Sequence, residues 1–242
     1  MTGLLEVLVL HAADARRAAE GGADRLHLVG APEVDGPSPT PDLVAEVCAA
    51  VDVPVRVTLR LREGFGTDGG EVVRLRGLAS SYRDAGAEGI VMGFLDGHGE
   101  VDTQVLEALL EGGDWPWTCS RAVDHALDTD RAWARLARLP RLDQVLTAGS
   151  ARGVEQGLDE LIRRADDPSV AAVVMAGGEL HPDHLPWLAR AGVRAFHIDL
   201  DARPLGSWKA YVDADQVRSW KSLVDDVAAR ADHRSNRVTS KE

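Results

Sequence analysis

Cysteine is scarce: Cys48 and Cys119 are the only two in 242 residues. That excludes a cysteine-rich zinc module and a disulfide scaffold, and it makes a reducing cytoplasm the expected home. No apolar run reaches the ~18 residues of a membrane helix. The short one between Met1 and Leu10 contains Glu6 and lacks a basic leader, so it reads as a first strand rather than a signal peptide. Basic charge is outnumbered as well, with Lys plus Arg at 27 against Asp plus Glu at 39 and a net charge of −12. General binding to nucleic acid or an anionic membrane is not expected of such a chain. Nucleophilic-triad order, a Walker loop and an HExxH helix are also missing, as are linkers and low-complexity tracts.

What is present is a rhythm. Hydrophobic residues make up 45% of the chain, and they fall into short runs of the kind buried in parallel sheets. Strands are expected at Leu4 to Leu10, Arg25 to Val29, Pro54 to Arg60, Gly89 to Gly93, Trp115 to Cys119, Gln144 to Thr147, Val170 to Met175 and Val193 to Leu200. Helical patterns lie between and after them, at about Asp14–Glu20, Pro41–Ala50, Gly70–Ala85, Asp102–Leu110, Thr129–Leu139, Ser150–Ala165, Pro182–Ala191 and Asp213–Ala229. Eight strand–helix units are the count that closes a (β/α)8 TIM barrel, here a single domain over residues 1–231. A doubly wound open sheet uses the same alternation and differs in strand order, so it stays open at this level. Residues 232–242, rich in Arg, Ser, Asn and Lys, are expected to form a flexible polar tail. The connection Gly30 to Thr40, with Pro32, Gly36, Pro37 and Pro39, follows a strand and would lie on the catalytic face.

In a barrel the strand ends converge on one mouth. That places Glu6, His27, Arg60, Arg62, Ser120, Arg121, Asp124, Thr147, Gly177 and His197 as candidates, a polar and basic set in an acidic protein. Arginines fork carboxylate and phosphate oxygens, so a small anionic ligand is the expected partner, with Glu6, His27 or His197 moving a proton. The same arginines could instead pair with Glu6, Glu63, Glu71 or Asp124 as structural ion pairs. The phrases Thr147-Ala148-Gly149-Ser150 and Met175-Ala176-Gly177-Gly178 lead from strands into helices, where backbone N–H groups either cradle an oxyanion or simply make a tight turn. His11, His98, His125, His181, His184 and His233 read as surface residues, with His181 and His184 flanking Pro182 as a cap rather than a metal pair. Cys48 reads as a packed core thiol. Cys119, at a strand end beside Arg121, either packs as a small hydrophobe or offers a thiolate that a soft ion such as Cu(I) would prefer. The six Trp read as packing residues.

A family resemblance runs in order from residue 4 to about residue 200. Leu4-Leu5-Glu6-Val7, Gly22-Ala23-Asp24-Arg25-Leu26, Ser38-Pro39-Thr40-Pro41, Arg60-Leu61-Arg62 and Gly89-Ile90-Val91-Met92-Gly93-Phe94-Leu95 carry its first half. Gly99-Glu100-Val101-Asp102, Arg121-Ala122-Val123-Asp124, Val145-Leu146-Thr147-Ala148-Gly149 and Met175-Ala176-Gly177-Gly178 carry the second. Together they resemble the CutC copper-homeostasis proteins. The resemblance implies a cytoplasmic TIM-type barrel, usually a homo-oligomer, linked by name to copper tolerance and copper binding, with an enzymatic reaction not yet assigned. The chain departs from the pattern where the family reads Arg-Ile-Glu-Leu-Cys and this sequence has Arg25-Leu26-His27-Leu28-Val29. It departs again where Thr-Phe-His-Arg-Ala-Phe-Asp becomes Thr118-Cys119-Ser120-Arg121-Ala122-Val123-Asp124, and where Ile-Arg-Pro-Arg becomes Leu59-Arg60-Leu61-Arg62. An acid, a thiol and a histidine are lost, while His27 and Cys119 arrive nearby. The expected copper ligands are therefore His27 and Cys119, and the expected anion ligands are Arg60, Arg62, Arg121, Asp124, Thr147, Gly149, Gly177 and Gly178.

Overall fold

The structure, a computed structural model, describes residues 3–31, 37–111 and 113–239, with side chains described through residue 233. Eight parallel strands close in sequence order into one barrel, β1 pairing with both β2 and β8. The open doubly wound alternative is thereby removed. Strands are β1 Leu4–Val9, β2 Arg25–Leu28, β3 Val55–Thr58, β4 Gly89–Met92, β5 Trp117–Cys119, β6 Leu142–Thr147, β7 Val174–Ala176 and β8 Ala195–Ile198. The helices are α1 Ala12–Glu20, α2 Pro41–Ala50, α3 Gly69–Asp84, α4 Thr103–Leu110, α5 Thr129–Leu136, α6 Val154–Ala165, α7 Pro168–Val173, α8 Leu185–Ala191 and α9 Ala214–Thr239.

Local chemistry explains most boundaries. Thr40 caps α2 through its side chain, with Pro41 at the first helical position, and Asp68, Asp102 and Asp128 cap α3, α4 and α5 in the same way. Three expected boundaries need correction. The run from Val170 is helical as far as Val173, because Asp167 accepts from Ser169 N and Pro168 starts a turn, so β7 begins only at Val174. The fifth strand starts at Trp117 rather than Trp115, beyond Pro116, which has no N–H to donate to a ladder. The last helix continues to Thr239, past the expected end at Ala229 and through most of the segment expected to be a tail. Pro32 and Gly36, in the proline-rich connection, lie outside the described residues.

Strand alternation sorts side chains into two compartments. Leu5, Val7, Leu26, Leu28, Val55, Val57, Val145 and Phe196 face the helices and join the main apolar core. Inside the barrel the apolar part is small: Leu146, Met175 and Ala195 cluster with Leu4 against them, and Leu8 and Val91 face the cavity. The positions alternating with the core residues are instead Glu6, Arg25, His27, Arg56, Thr58 and His197, all buried. A barrel interior this polar demands partners for every charge, and those partners define the site. No helix among the described residues is long and apolar enough to cross a membrane.

Candidate active site at the barrel mouth

Glu6 stands opposite Arg25 on one neighbouring strand and His197 on the other. Its Oε2 accepts from Arg25 Nε at 2.5 Å and its Oε1 lies 2.9 Å from His197 Nδ1. Burial alone would push the Glu6 carboxyl up, but Arg25 and His197 more than offset it and hold the group well below the usual carboxylate range. Because an ionised carboxylate can only accept, His197 Nδ1 carries the proton, which leaves Nε2 as the nitrogen open to a ligand.

His27 completes the group. Its ring centroid lies 5.4 Å from that of His197, and its Nε2 is 2.7 Å from Thr58 Oγ1. Its buried Nδ1 has no hydrogen-bond partner. Burial pushes the His27 pKa down to about 3, with Glu6 opposing and His197, Arg25 and Arg60 adding to the fall, so the ring is neutral at neutral pH. Beneath this trio the barrel is plugged by ion pairs. Arg56 reaches Glu88 with Nε at 2.5 Å, Asp143 with Nη2 at 2.5 Å and Thr118 Oγ1 with Nη1 at 3.2 Å. Arg25 Nη1 lies 3.7 Å from the same Asp143 carboxylate.

Above the trio opens a cavity of about 350 Å³ whose wall includes His27, His197, Arg60, Arg121, Asp199 and Trp208. Arg60 is 7% exposed, with its guanidinium 5.5 Å from the Phe65 ring centroid and Nη1 donating to Gly64 O at 3.4 Å. Arg121 donates through Nε to Asp124 at 3.0 Å and through Nη2 to Ser150 O at 2.9 Å. Its Nη1 lies over Gly178, where a Cβ would come within 2.7 Å and where φ is +94°. Gly178 is therefore required by both conformation and space.

The other expected ligand residues have structural positions. Asp124 accepts from Thr147 Oγ1 at 2.5 Å and from Ala148 N at 2.8 Å, and Thr147 Oγ1 accepts from Gly149 N at 2.9 Å. This knot ties the turn after β5 to the end of β6 and holds Arg121. Gly149, with φ +73°, packs where a Cβ would strike Gly157 O at 2.3 Å, so it serves the turn against α6 rather than the cavity. Gly177 makes room beside His197, 2.7 Å from where its own Cβ would sit. Arg62 is a correction: it leaves the cavity, pairs with Asp68 and lies 2.8 Å from Glu71 Oε2. After Arg60 the Arg62 side chain points to Asp68 and Glu71, while Phe65 is back in the cavity wall.

Cys119 is a second correction. It is 1% exposed and belongs to the core between barrel and helices, one residue out of phase with Ser120, which lines the cavity. Burial and the Asp124 charge push its thiol far up, and Sγ donates to Ser120 O at 3.4 Å. It does not share a site with His27. Among the described residues the one cluster able to offer three metal-ligand atoms is Glu6, His27 and His197, all within 4.8 Å of one another. Sequence reasoning passed over Arg25, Thr58, Asp199 and Trp208, and it read His184 as a surface residue. His125, exposed as expected, lines the cavity, and His184 is 5% exposed with Nε2 2.8 Å from Glu155. Trp208 carries no local sequence signal; it is placed by Arg203, whose guanidinium lies 5.3 Å from its ring and 2.6 Å from Asp14.

The model of the CutC family matches residues 3–201, which include every strand and all of the cavity wall except Trp208. The chain belongs to the CutC family. A relative from Klebsiella pneumoniae (strain 342), named as a CutC family protein, is 32% identical over 229 residues, covering 89% of this chain and 91% of the relative. Another from Enterobacter sp. (strain 638) is 30% identical over 196 residues, covering 80% of this chain and 78% of that one. Among solved structures, a CutC protein from Streptococcus agalactiae, assigned by name to copper homeostasis, superposes with a TM-score of 0.74 at 19% identity, over 81% of this chain and 98% of the other. At that identity the likeness speaks for the fold.

Proposed function

We propose that this CutC-family barrel binds a small anionic metabolite in its mouth cavity and moves a proton on it through His197. The observation that carries the reading is the commitment of His197 Nδ1 to the buried Glu6 carboxylate, while the same ring lines a cavity shared with Arg60 and Arg121. Arg60 and Arg121 hold the ligand's carboxylate or phosphate. His197 Nε2 takes a proton from the ligand, Glu6 supplies the opposite charge to the imidazolium that forms, and the proton returns to the product. His27, kept neutral, adds no second positive charge beside His197. The cavity's volume of about 350 Å³ suits a metabolite of a few carbon atoms.

Copper is the metal that the family's name implies. The residues present do not fit Cu(I) at the expected pair, since the Cys119 thiol faces the helix layer. At the Glu6, His27 and His197 cluster, both Glu6 oxygens already meet Arg25 and His197, so a cation there would sit beside a guanidinium. No step of the mechanism runs through copper. A cytoplasmic homo-oligomer with no nucleic-acid or membrane partner is part of the proposal, supported by the family and the net charge of −12, and light scattering tests the assembly.

The direct test is thermal unfolding with phosphate, sulfate and small phosphorylated or carboxylated metabolites at about ten times a millimolar Kd, where binding adds about 1.4 kcal/mol and raises Tm by several degrees. Arg121→Gln is expected to abolish the rise. A panel in which no anion moves Tm overturns the reading.

A further inference from the structure

The cavity wall is electrically lopsided, and barrel order shows in which direction. Arg60 follows β3 and Arg121 follows β5, so the two guanidiniums flank the end of β4. There Gly93 replaces any side chain, because a Cβ would come within 2.4 Å of Ser120 Oγ. Asp199 follows β8, three strands away from either arginine around the closed ring, and Trp208, on the same segment after β8, also lines the cavity. One Asp199 oxygen accepts from Leu200 N at 2.5 Å, which leaves the second for a ligand. Half-buried Asp201 stands close enough that burial and the Asp199 charge together push its carboxyl up. Two guanidiniums, that of Arg121 paired with Asp124, thus share a cavity of about 350 Å³ with Asp199, and neutral His27 lies between them in barrel order.

A simple anion uses only the arginines and meets repulsion at Asp199. Building on the anion-binding reading, we infer that the ligand is dipolar: an acid with a protonated amine, its phosphate or carboxylate between Arg60 and Arg121 and its ammonium at Asp199 beside Trp208. The amine also explains a mouth that carries an acidic residue opposite the arginines, an arrangement that weakens binding of every ligand lacking a cation.

Matched probes separate the two levels of the claim. Isothermal titration with 2-aminoethylphosphonate and ethylphosphonate, and with 4-aminobutyrate and butyrate, is expected to show the amino member of each pair binding at least tenfold more tightly. Asp199→Asn, which keeps an oxygen to cap Leu200, is expected to bring the amino compound down to its amine-free partner, and Asp199→Glu to restore part of the preference. Equal binding within both pairs, or a preference that survives Asp199→Asn, overturns the dipolar ligand while anion binding stands. If neither member of either pair binds, and the wider anion panel is silent, both readings fall.

Discussion

Asp14 and Arg203 meet 2.6 Å apart, 189 residues apart in the chain and each at most 1% exposed. The Asp14 carboxylate also accepts from Val212 N at 2.9 Å, and Arg203 Nη1 donates to Ala210 O at 2.6 Å. One buried pair therefore fastens the segment that carries Trp208 onto α1 and the end of β1. Removing one partner leaves a buried charge without compensation, so Asp14→Ala is expected to cost about 3–5 kcal/mol. A double-mutant cycle with Arg203→Met, read by urea unfolding, should return a coupling above about 1 kcal/mol. Additive single effects would refute the fastening role.

His27 sets an acid limit. Its folded pKa of about 3 lies below its ordinary value of 6.5. Between these values the unfolded chain takes up a proton that the folded chain refuses. Stability is therefore complete above about pH 6.5 and falls as pH drops, by up to ~1.4 kcal/mol per pH unit from this one group. Glu6, held below its ordinary 4.5, adds to the loss only beneath that pH. His27→Gln is expected to flatten the decline between pH 6.5 and 4.5 and to keep the fall below it. Denaturant midpoints across that range check the result, and an unchanged slope contradicts it.

Gly178→Ala should disable Arg121 without touching any charge. The new methyl meets the guanidinium at 2.7 Å and sits on a backbone with φ +94°. The strain is about 1–3 kcal/mol, and the rise in Tm on adding anion should disappear while the far-UV circular dichroism is retained. An intact anion response would place Arg121 outside the binding wall.

Arg62→Ala is the matching control. Its side chain is 46% exposed and pairs with Asp68 and Glu71, so the loss is expected to stay under about 1 kcal/mol, with ligand response preserved. A large loss of anion binding would return Arg62 to the site.

Cys119→Ala should leave copper titration of the reduced protein unchanged, because the thiol is buried toward the helices with its pKa raised. In the folded wild type Cys119 should react with a thiol reagent only after denaturant is added. Rapid labelling at native conditions would contradict the placement.

Eight strand–helix units were readable from residue order alone, because burial on both faces makes each parallel strand a short apolar run and the caps at Thr40, Asp68, Asp102 and Asp128 are local signals. The polar interior was partly readable: Glu6, His27 and His197 stand out within apolar strands. Val170–Val173 misled because its β-branched residues suit a strand, yet the Asp167-Pro168 start signal decided for a helix.

Neighbouring residues in the chain fixed which segments become strands and where helices begin, since caps, proline and apolar spacing act over a few positions. Which side of each strand faces the axis, and what meets there, was decided by closure of the barrel. A one-residue phase difference sends Cys119 to the helices and Ser120 to the cavity, and the Arg62 side chain points to Asp68 and Glu71 while Arg60 stays. Only long-range register joins Glu6 to His197, and only tertiary packing of α1 against the segment after β8 joins Asp14 to Arg203. The reason is physical: a buried charge is tolerated only beside its partner, and that partner comes from wherever the closed sheet brings the chain back.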